Sequence, residues 1–599
     1  MTHAFPFPRL ELASQRLHGG ETTSVQLTEQ ALARTMSGEG PKVFTRVFQG
    51  AALAEARASD VLRAAGLARS PIEGLPISVK DLFDIAGFPT LGGSRLLADA
   101  PPAQRTAEVV QRLRQAGAVI VGTTNMTEFA YSGLGINPHY GTPRNPWQRE
   151  EDGGRIPGGS SSGAAISVTD GMAMAAIGSD TGGSVRIPSA LCGLTGFKPT
   201  ARRVSMEGVL PLSSHLDSIG PLAPSVRCCA TLDAILSGEP LGELHAAPLQ
   251  GLRLLAPTNV VLDGMDATVA AAWERALSLL SQAGAQITHA VVAPFGELAD
   301  INAKGGFTAA EAWAWHRHHI ATRLSEYDPR VGTRILRGKD ISAADYIDLL
   351  ARRRQWIAAV GAQMADHDLI VMPTVPVVAP KIADLTASDE AYFAANGLIL
   401  RNPTLINFLD GCALTLPCQA PGEAPVGLML AGCGGQDARV LDAGAACVHL
   451  HGKGRKQRSV PLWRSTVRVV RAWLRRNPQL EATSPLFPSR NGQAMTRANV
   501  ALRLARAVHS ASSTFPDLTK RHISPHTIRH TTAMHLLQAG VDISVIALWL
   551  GHESPVTTHH YVEADLAMKE RALAKLHEPD AKIQRYRAPD SLIDFLKTL

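Results

Sequence analysis

The segment that most constrains this chain is GGSSSGAAISVTDGMAMAAIGSDTGGSVRIPSALCGLTGFKPT, residues 158 to 200, in which serine twice stands beside paired glycines. Glycine- and serine-rich runs are usually flexible linkers. This one continues directly into the apolar stretch AAISVTDGMAMAAIG, which a solvated linker would not. The glycines are therefore read as part of a folded interior. There they admit backbone conformations closed to other residues and leave main-chain N–H groups bare enough to approach a substrate oxygen. The successive amides of Thr181, Gly182, Gly183 and Ser184 can form a concave donor cluster, an oxyanion hole for a tetrahedral acyl intermediate.

A serine hydroxyl needs a neighbouring base before it acts as a nucleophile, and no His/Asp pairing lies near this segment. Lys80 closes the apolar strand LPISVK, residues 75 to 80, which carries its amine inward. A strand-end lysine is commonly a surface residue. Buried, however, it is pushed toward its neutral form and can accept a proton. Ser160 then stands as the relay between Ser184 and Lys80.

At 599 residues with 45% apolar content, the chain has material for at least two globular units. Residues 1 to 447 alternate amphipathic helices with β-branched runs, as in TAEVVQRLRQAG (106 to 117) before AVIVGTT (118 to 124). DATVAAAWERALSLLSQAG (266 to 284) before AQITHAVV (285 to 292) repeats the pattern, and both helices close at glycine. An α/β class follows, with a boundary near 447, where the chain turns basic. Residues 448 to 599 carry 23 Lys+Arg against 11 Asp+Glu, a balance of +12, and residues 1 to 447 a balance of −6. A basic block of this size suits phosphate neutralisation, and the mildly acidic remainder an ordinary enzyme. In the basic block VHLHGKGRKQRSVPL reads as two strands around a Gly-Lys-Gly turn. Helices are expected over 496 to 511, 524 to 540 and 542 to 552, the second with Ser524 as cap and Pro525 at its first position.

No apolar run reaches the roughly 20 residues that span a bilayer, and the start MTHAFPFPRLELASQ has no export-signal pattern, so a cytoplasmic location without membrane contact is expected. The seven cysteines show no CxxC or His-paired metal spacing, and no metal or cofactor is expected.

The segment 158 to 200 resembles the signature of the amidase signature family of serine hydrolases. GLPISVKD (74 to 81), VGTTNMTEFAYSG (121 to 133), GTPRNPW (141 to 147), SHLDSIGPLAPSV (214 to 226) and PVGLMLAG (425 to 432) extend the resemblance over nearly all of residues 1 to 447. It implies a central mixed sheet covered by helices and a Ser-Ser-Lys triad. In that triad Ser184 is the acyl-forming nucleophile, Ser160 the bridging serine, often with a cis peptide bond, and Lys80 the general base. The implied substrate is a small carboxylic amide that releases ammonia or an amine. Asp180 and Arg186 read as an ion-paired scaffold, with Arg186 alternatively meeting an anionic substrate. Substrate identity is expected from residues 290 to 400, with Met126, Tyr131 and Asn407 as pocket walls by family position. The family also includes the glutaminase component of tRNA-dependent amidotransferases, which stays open as an alternative.

In residues 448 to 599, Lys453 sits on the expected hairpin turn, His526 and Arg529 one helical turn apart, and His552 nine residues before Tyr561. Phosphoryl transfer by a protein hydroxyl needs such cationic groups and a proton donor. HGKGRKQRSVPL, SPHTIRH, LGHES and HHYV together resemble the catalytic domain of tyrosine recombinases, the phage integrase family, a smaller and mainly α-helical partial domain here. The resemblance implies Tyr561 as the phosphotyrosine former, His526, Arg529 and His552 as phosphate ligands, and Lys453 as general acid. That family places a further arginine some two dozen residues before the hairpin lysine. Here Arg439 lies only 14 residues before Lys453, within the amidase-like part, and the DNA-clamping domain is missing. Weak DNA affinity and little or no strand transfer are expected. The rival reading is a DNA-binding recombinase whose front part is vestigial.

Overall fold

The β-branched and apolar runs of the front part assemble into one mixed sheet. A computed structural model describes residues 6–446 except 243, 246 and 247, and beyond them short stretches, chiefly 449–451, 457–459, 472–476 and 497–512. The chain divides into two compact units, 1–481 and 482–599.

In the first unit the strands are β1 (Phe44–Val47), β2 (Pro76–Lys80), β3 (Val119–Thr124), β4 (Ala175–Asp180), β5 (Thr195–Lys198) and β6 (Ser218–Ala223). They continue as β7 (Arg253–Pro257), β8 (Gln286–Ala290), β9 (Leu369–Pro373), β10 (Cys412–Pro417) and β11 (Gly427–Gly432). Their order across the sheet is β1-β3-β2-β4-β6-β5-β10-β11-β9-β7-β8. Strands β3, β2 and β4 run parallel to one another, as do β9, β7 and β8, while β4, β6, β5, β10, β11 and β9 pair antiparallel in sequence along the sheet. Every residue of β2, β3 and β4 is buried, which agrees with their continuous apolar character, since parallel strands are covered on both faces.

The connecting helices follow their sequence signals. Glu108–Gln115 turns Val109, Val110 and Leu113 inward and stops before Gly117, whose φ of +95° suits glycine. Ala267–Gln282 starts where the Asp266 carboxylate accepts the Val269 N–H at 2.8 Å. The Gly/Ser segment folds as the interior its apolar continuation demands. Helix Ser162–Thr169 is buried on all sides, as a helix without a polar face must be.

The basic stretch after 447 contains strands His449–His451 and Gln457–Ser459, paired antiparallel as the expected hairpin requires. In the second unit Arg497–Ser512 is helical, within one residue of the expected bounds at each end. At the start expected for the helix over 524 to 540, the Thr527 N–H donates to the Ser524 side chain at 3.2 Å, as the expected cap requires, while most of that helix and all of the one expected over 542 to 552 lie outside the described residues. Among the described residues no helix is long and apolar enough to cross a membrane.

Candidate active site

Strand β2, between β3 and β4, delivers Lys80 into a fully buried position. Its Nζ donates to Ser160 Oγ at 2.7 Å and to Ser179 Oγ at 2.8 Å. Burial pulls the amine down to about 7, against the opposing pull of Asp180 and Asp217. Lys80 is thus held by two hydroxyls, with its charged form disfavoured.

Ser160 enters through a cis Gly159–Ser160 peptide bond, on a loop laced to its surroundings. The Gly159 N–H donates to the Gly133 carbonyl at 2.8 Å, and the Ser160 carbonyl accepts the Thr127 N–H at 3.1 Å. A Cβ at Gly159 would come within 2.5 Å of the Gly135 backbone nitrogen, so only glycine fits there. The next residue, Ser161, donates its N–H to the Ser184 carbonyl at 3.3 Å and so draws the two serine-bearing loops together.

Ser184 follows β4 on a turn organised by Asp180. That carboxylate accepts the N–H of Gly183 at 2.8 Å and of Val185 at 3.1 Å. It is also paired with Arg186, whose guanidinium reaches Oδ1 at 2.9 Å and Oδ2 at 3.1 Å with both side chains fully buried. Burial alone would raise the Asp180 carboxyl, but Arg186, Lys198 and Asn407 hold it well below the usual carboxylate range. Arg186 also donates to the Asn407 side-chain oxygen at 2.6 Å and the Pro403 carbonyl at 3.1 Å. Arg186 is therefore a scaffold residue, saturated by protein groups and closed to an anionic substrate.

Two expectations change here. Gly183 was expected among the oxyanion donors, but its N–H is taken by Asp180, because the carboxylate that caps the turn reaches it first. The Gly183 backbone itself, at φ +124°, shapes the turn, and a Cβ there would meet Pro403 at 2.6 Å. The N–H groups of Gly182 and Ser184, and the Ser184 hydroxyl, make no hydrogen bond among the described residues. Asn407, expected in a pocket wall, instead spends its amide on the Asp180 carbonyl and carboxylate at 3.0 and 2.9 Å. Met126 is wholly buried in the core, whereas Tyr131 lies under the Arg334 guanidinium, 4.4 Å from the ring centroid.

Sequence reasoning overlooked Ser179 and Asp217. Ser179 is a hydroxyl in an otherwise apolar strand, one residue before the capping Asp180, and that misfit was the available signal. Asp217 stands within SHLDSIGPLAPSV, one of the stretches that carry the family resemblance, and that was its signal. It accepts the Thr181 hydroxyl at 2.5 Å from a loop 36 residues onward.

Residues 26–441 match the family model described as Amidase. The chain belongs to the amidase family. A 2-amino-5-chloromuconic acid deaminase of Comamonas testosteroni is 38% identical over 448 residues, covering 73% of this chain and 95% of that protein. A glutamyl-tRNA(Gln) amidotransferase component from Chloroflexus aggregans is 35% identical, with 72% and 94% covered. A solved structure described as the crystal structure of amidase superposes with a TM-score of 0.65 at 32% identity, covering 73% of this chain and 98% of that one. The large mixed sheet with its helices is thus the amidase fold.

Behind the amidase part, residues 437–568 match the phage integrase family. Lys453, His526, Arg529, His552 and Tyr561 all lie outside the described residues. Arg439 does not. It sits on helix Asp437–Ala445, whose Val440, Leu441 and Ala443 are buried in the main core, and it pairs with Asp368 at 3.4 Å. Among the described residues no cluster of three or more His, Cys, Asp or Glu could hold a metal ion.

Proposed function

We propose that this amidase-family chain hydrolyses a small carboxylic amide through an acyl-enzyme on Ser184. The observation that carries the reading is the buried Lys80 amine within hydrogen-bond distance of Ser160. Neutral Lys80 takes the Ser160 proton as Ser160 takes that of Ser184, and Ser184 Oγ attacks the amide carbon. The oxyanion is received by N–H groups of the loop from Thr181 to Ser184, with Gly182 and Ser184 the unengaged donors. The tetrahedral intermediate collapses, and the leaving nitrogen departs with a proton returned through Ser160. Water then attacks the acyl group by the reverse route and frees the carboxylate.

The substrate is proposed to carry a carboxylate of its own. Arg334 lies over Tyr131, donates to the Tyr131 carbonyl, and has no acidic partner among the described residues. Tyr131 is two residues from Gly133, which holds the Ser160 loop. The relative named for 2-amino-5-chloromuconic acid also acts on an acid. That name favours one further reading, hydrolytic release of ammonia from an amino-dienoic acid.

The test is ammonia release from aliphatic and aromatic amides, dicarboxylic monoamides and 2-aminomuconic acid, with wild type beside Ser184→Ala. The highest kcat/KM is expected for a dicarboxylic monoamide, with turnover lost in the variant. A folded protein that turns over none of these compounds overturns the proposal, and turnover of the amino-dienoic acid alone selects the second reading.

For residues 448 to 599 we propose no strand transfer. The arginine nearest the required place, Arg439, stands on a helix packed into the amidase core, 14 residues before Lys453 rather than some two dozen, and pairs with Asp368.

A further inference from the structure

A hydrogen-bonded chain runs from the nucleophile turn to a helix distant in sequence. Thr181 Oγ1 donates to Asp217 Oδ1 at 2.5 Å, and Asp217 Oδ2 accepts the N–H groups of Leu212 and Ser213 at 2.9 and 3.0 Å. The Ser213 hydroxyl donates to Glu311 Oε2 at 2.6 Å, and Glu311 stands on helix Gly306–Arg323. Its Oε1 is gripped in turn by His215 Nδ1 and the Tyr346 hydroxyl, each at 2.5 Å. His215 stacks on Phe307, from the same helix, with ring centroids 5.1 Å apart.

The inner links are buried: Ser213 is 0%, Thr181 3% and Asp217 6% exposed. Burying a carboxylate is costly, and burial pushes Asp217 up to about 6. Three N–H or O–H donors offset that cost. Two of them only close the loop 212 to 217, whereas the third reaches out to the residue that begins the oxyanion turn. Asp180 already fixes that turn from within through Gly183 and Val185. Its first residue is left to Asp217, and Ser218 adds a bond from its hydroxyl to the Asp180 carbonyl at 3.0 Å.

We propose that Asp217 is a positioning residue for amide hydrolysis: through the Thr181 hydroxyl it sets the direction of the backbone N–H groups that follow, and Glu311 anchors the Asp217 loop from the outside. The inference rests on Ser184 being the nucleophile. An oxyanion donor contributes only when aimed at the place the charge develops, so loosening the turn lowers the chemical step and leaves substrate binding largely intact.

The test is a double-mutant cycle in the full chain on the best amide substrate, with melting temperatures measured beside kcat and KM. Thr181→Val and Asp217→Asn are each expected to lower kcat roughly tenfold to a hundredfold with KM within about twofold. The double variant should be no slower than the slower single one, because both changes remove one interaction. Thr181→Ser should restore kcat to within about threefold, and Glu311→Gln should lie between wild type and Asp217→Asn. A general destabilisation would move KM and melting temperature without this coupling. If Asp217→Asn does not fold, the contrast of Thr181→Val with Thr181→Ser carries the test alone. Additive effects, or Thr181→Val at wild-type kcat while turnover still depends on Ser184, overturn this proposal only. Turnover that survives Ser184→Ala overturns the reading of the site as well.

Discussion

Lys80 Nζ and Ser160 Oγ are 2.7 Å apart, and Lys80 forms no ion pair among the described residues. A buried lysine bonded to hydroxyls but to no carboxylate must give up its proton easily. With its amine lowered to about 7, the form able to serve as the proposed base is the neutral one. The expected kcat/KM therefore falls below pH 7, about tenfold per unit, and levels off above it. A pH–rate profile of wild type measures this. A flat profile from pH 5 to 9 would remove Lys80 as the base. Lys80→Met should cost at least about 10²–10⁴-fold at pH 8.

Ser184 separates activity from stability. Its hydroxyl makes no hydrogen bond among the described residues, although the residue is only 2% exposed. Ser184→Ala should abolish turnover by about 10⁴-fold or more and shift the unfolding free energy by less than about 1 kcal/mol. Activity assays combined with urea titration check both halves. A variant that lost activity by unfolding would give no support to a nucleophilic role.

Asp180 and Arg186 predict the opposite pattern. The pair is fully buried and knits the Ser184 turn to Pro403 and Asn407. Removing one partner leaves the other charge unpaired, so Arg186→Met or Asp180→Ala should destabilise by about 3–5 kcal/mol. Arg186→Lys should fare little better, because an ammonium cannot replace the forked contact to both carboxylate oxygens. Chemical denaturation of the three variants reads this directly, and midpoints equal to wild type would show the pair to be dispensable.

Much of this was legible in the sequence, for identifiable reasons. Lys80 could be placed because a lysine that ends an apolar strand has few places to go, and Ser184 because paired glycines beside a serine announce an exposed backbone. The ion pair of Asp180 with Arg186 was legible from two opposite charges six residues apart in an apolar setting. What could not be read was how Asp180 divides its lone pairs. Its capture of the Gly183 N–H depends on the φ of +124° at Gly183, which spacing does not encode. The contacts that Asn407 and Asp217 make were beyond reach for another reason. Each meets the turn across a long sequence separation, and a lone polar residue carries no mark of the strand it will face.

The tail supplies the last prediction. The first compact unit runs to residue 481, and the helix carrying Arg439 is part of the amidase core. A protein ending at 481 should therefore keep kcat and KM within about twofold of the full chain, because no residue assigned to the amide chemistry lies beyond it. The reciprocal expectation concerns Tyr561. Phosphoryl transfer needs its charge-neutralising groups together, and losing one oxyanion-type donor already costs about 10²–10³-fold. Arg439, the nearest candidate, is half exposed and pairs with Asp368 at 3.4 Å, but its helix is anchored in the amidase core by Val440 and Leu441 and it stands 14 residues, not some two dozen, before Lys453. Incubation of the full chain with nicked duplex DNA should thus yield no covalent adduct. An adduct lost in Tyr561→Phe would mean that the phosphate is served by a cation other than Arg439.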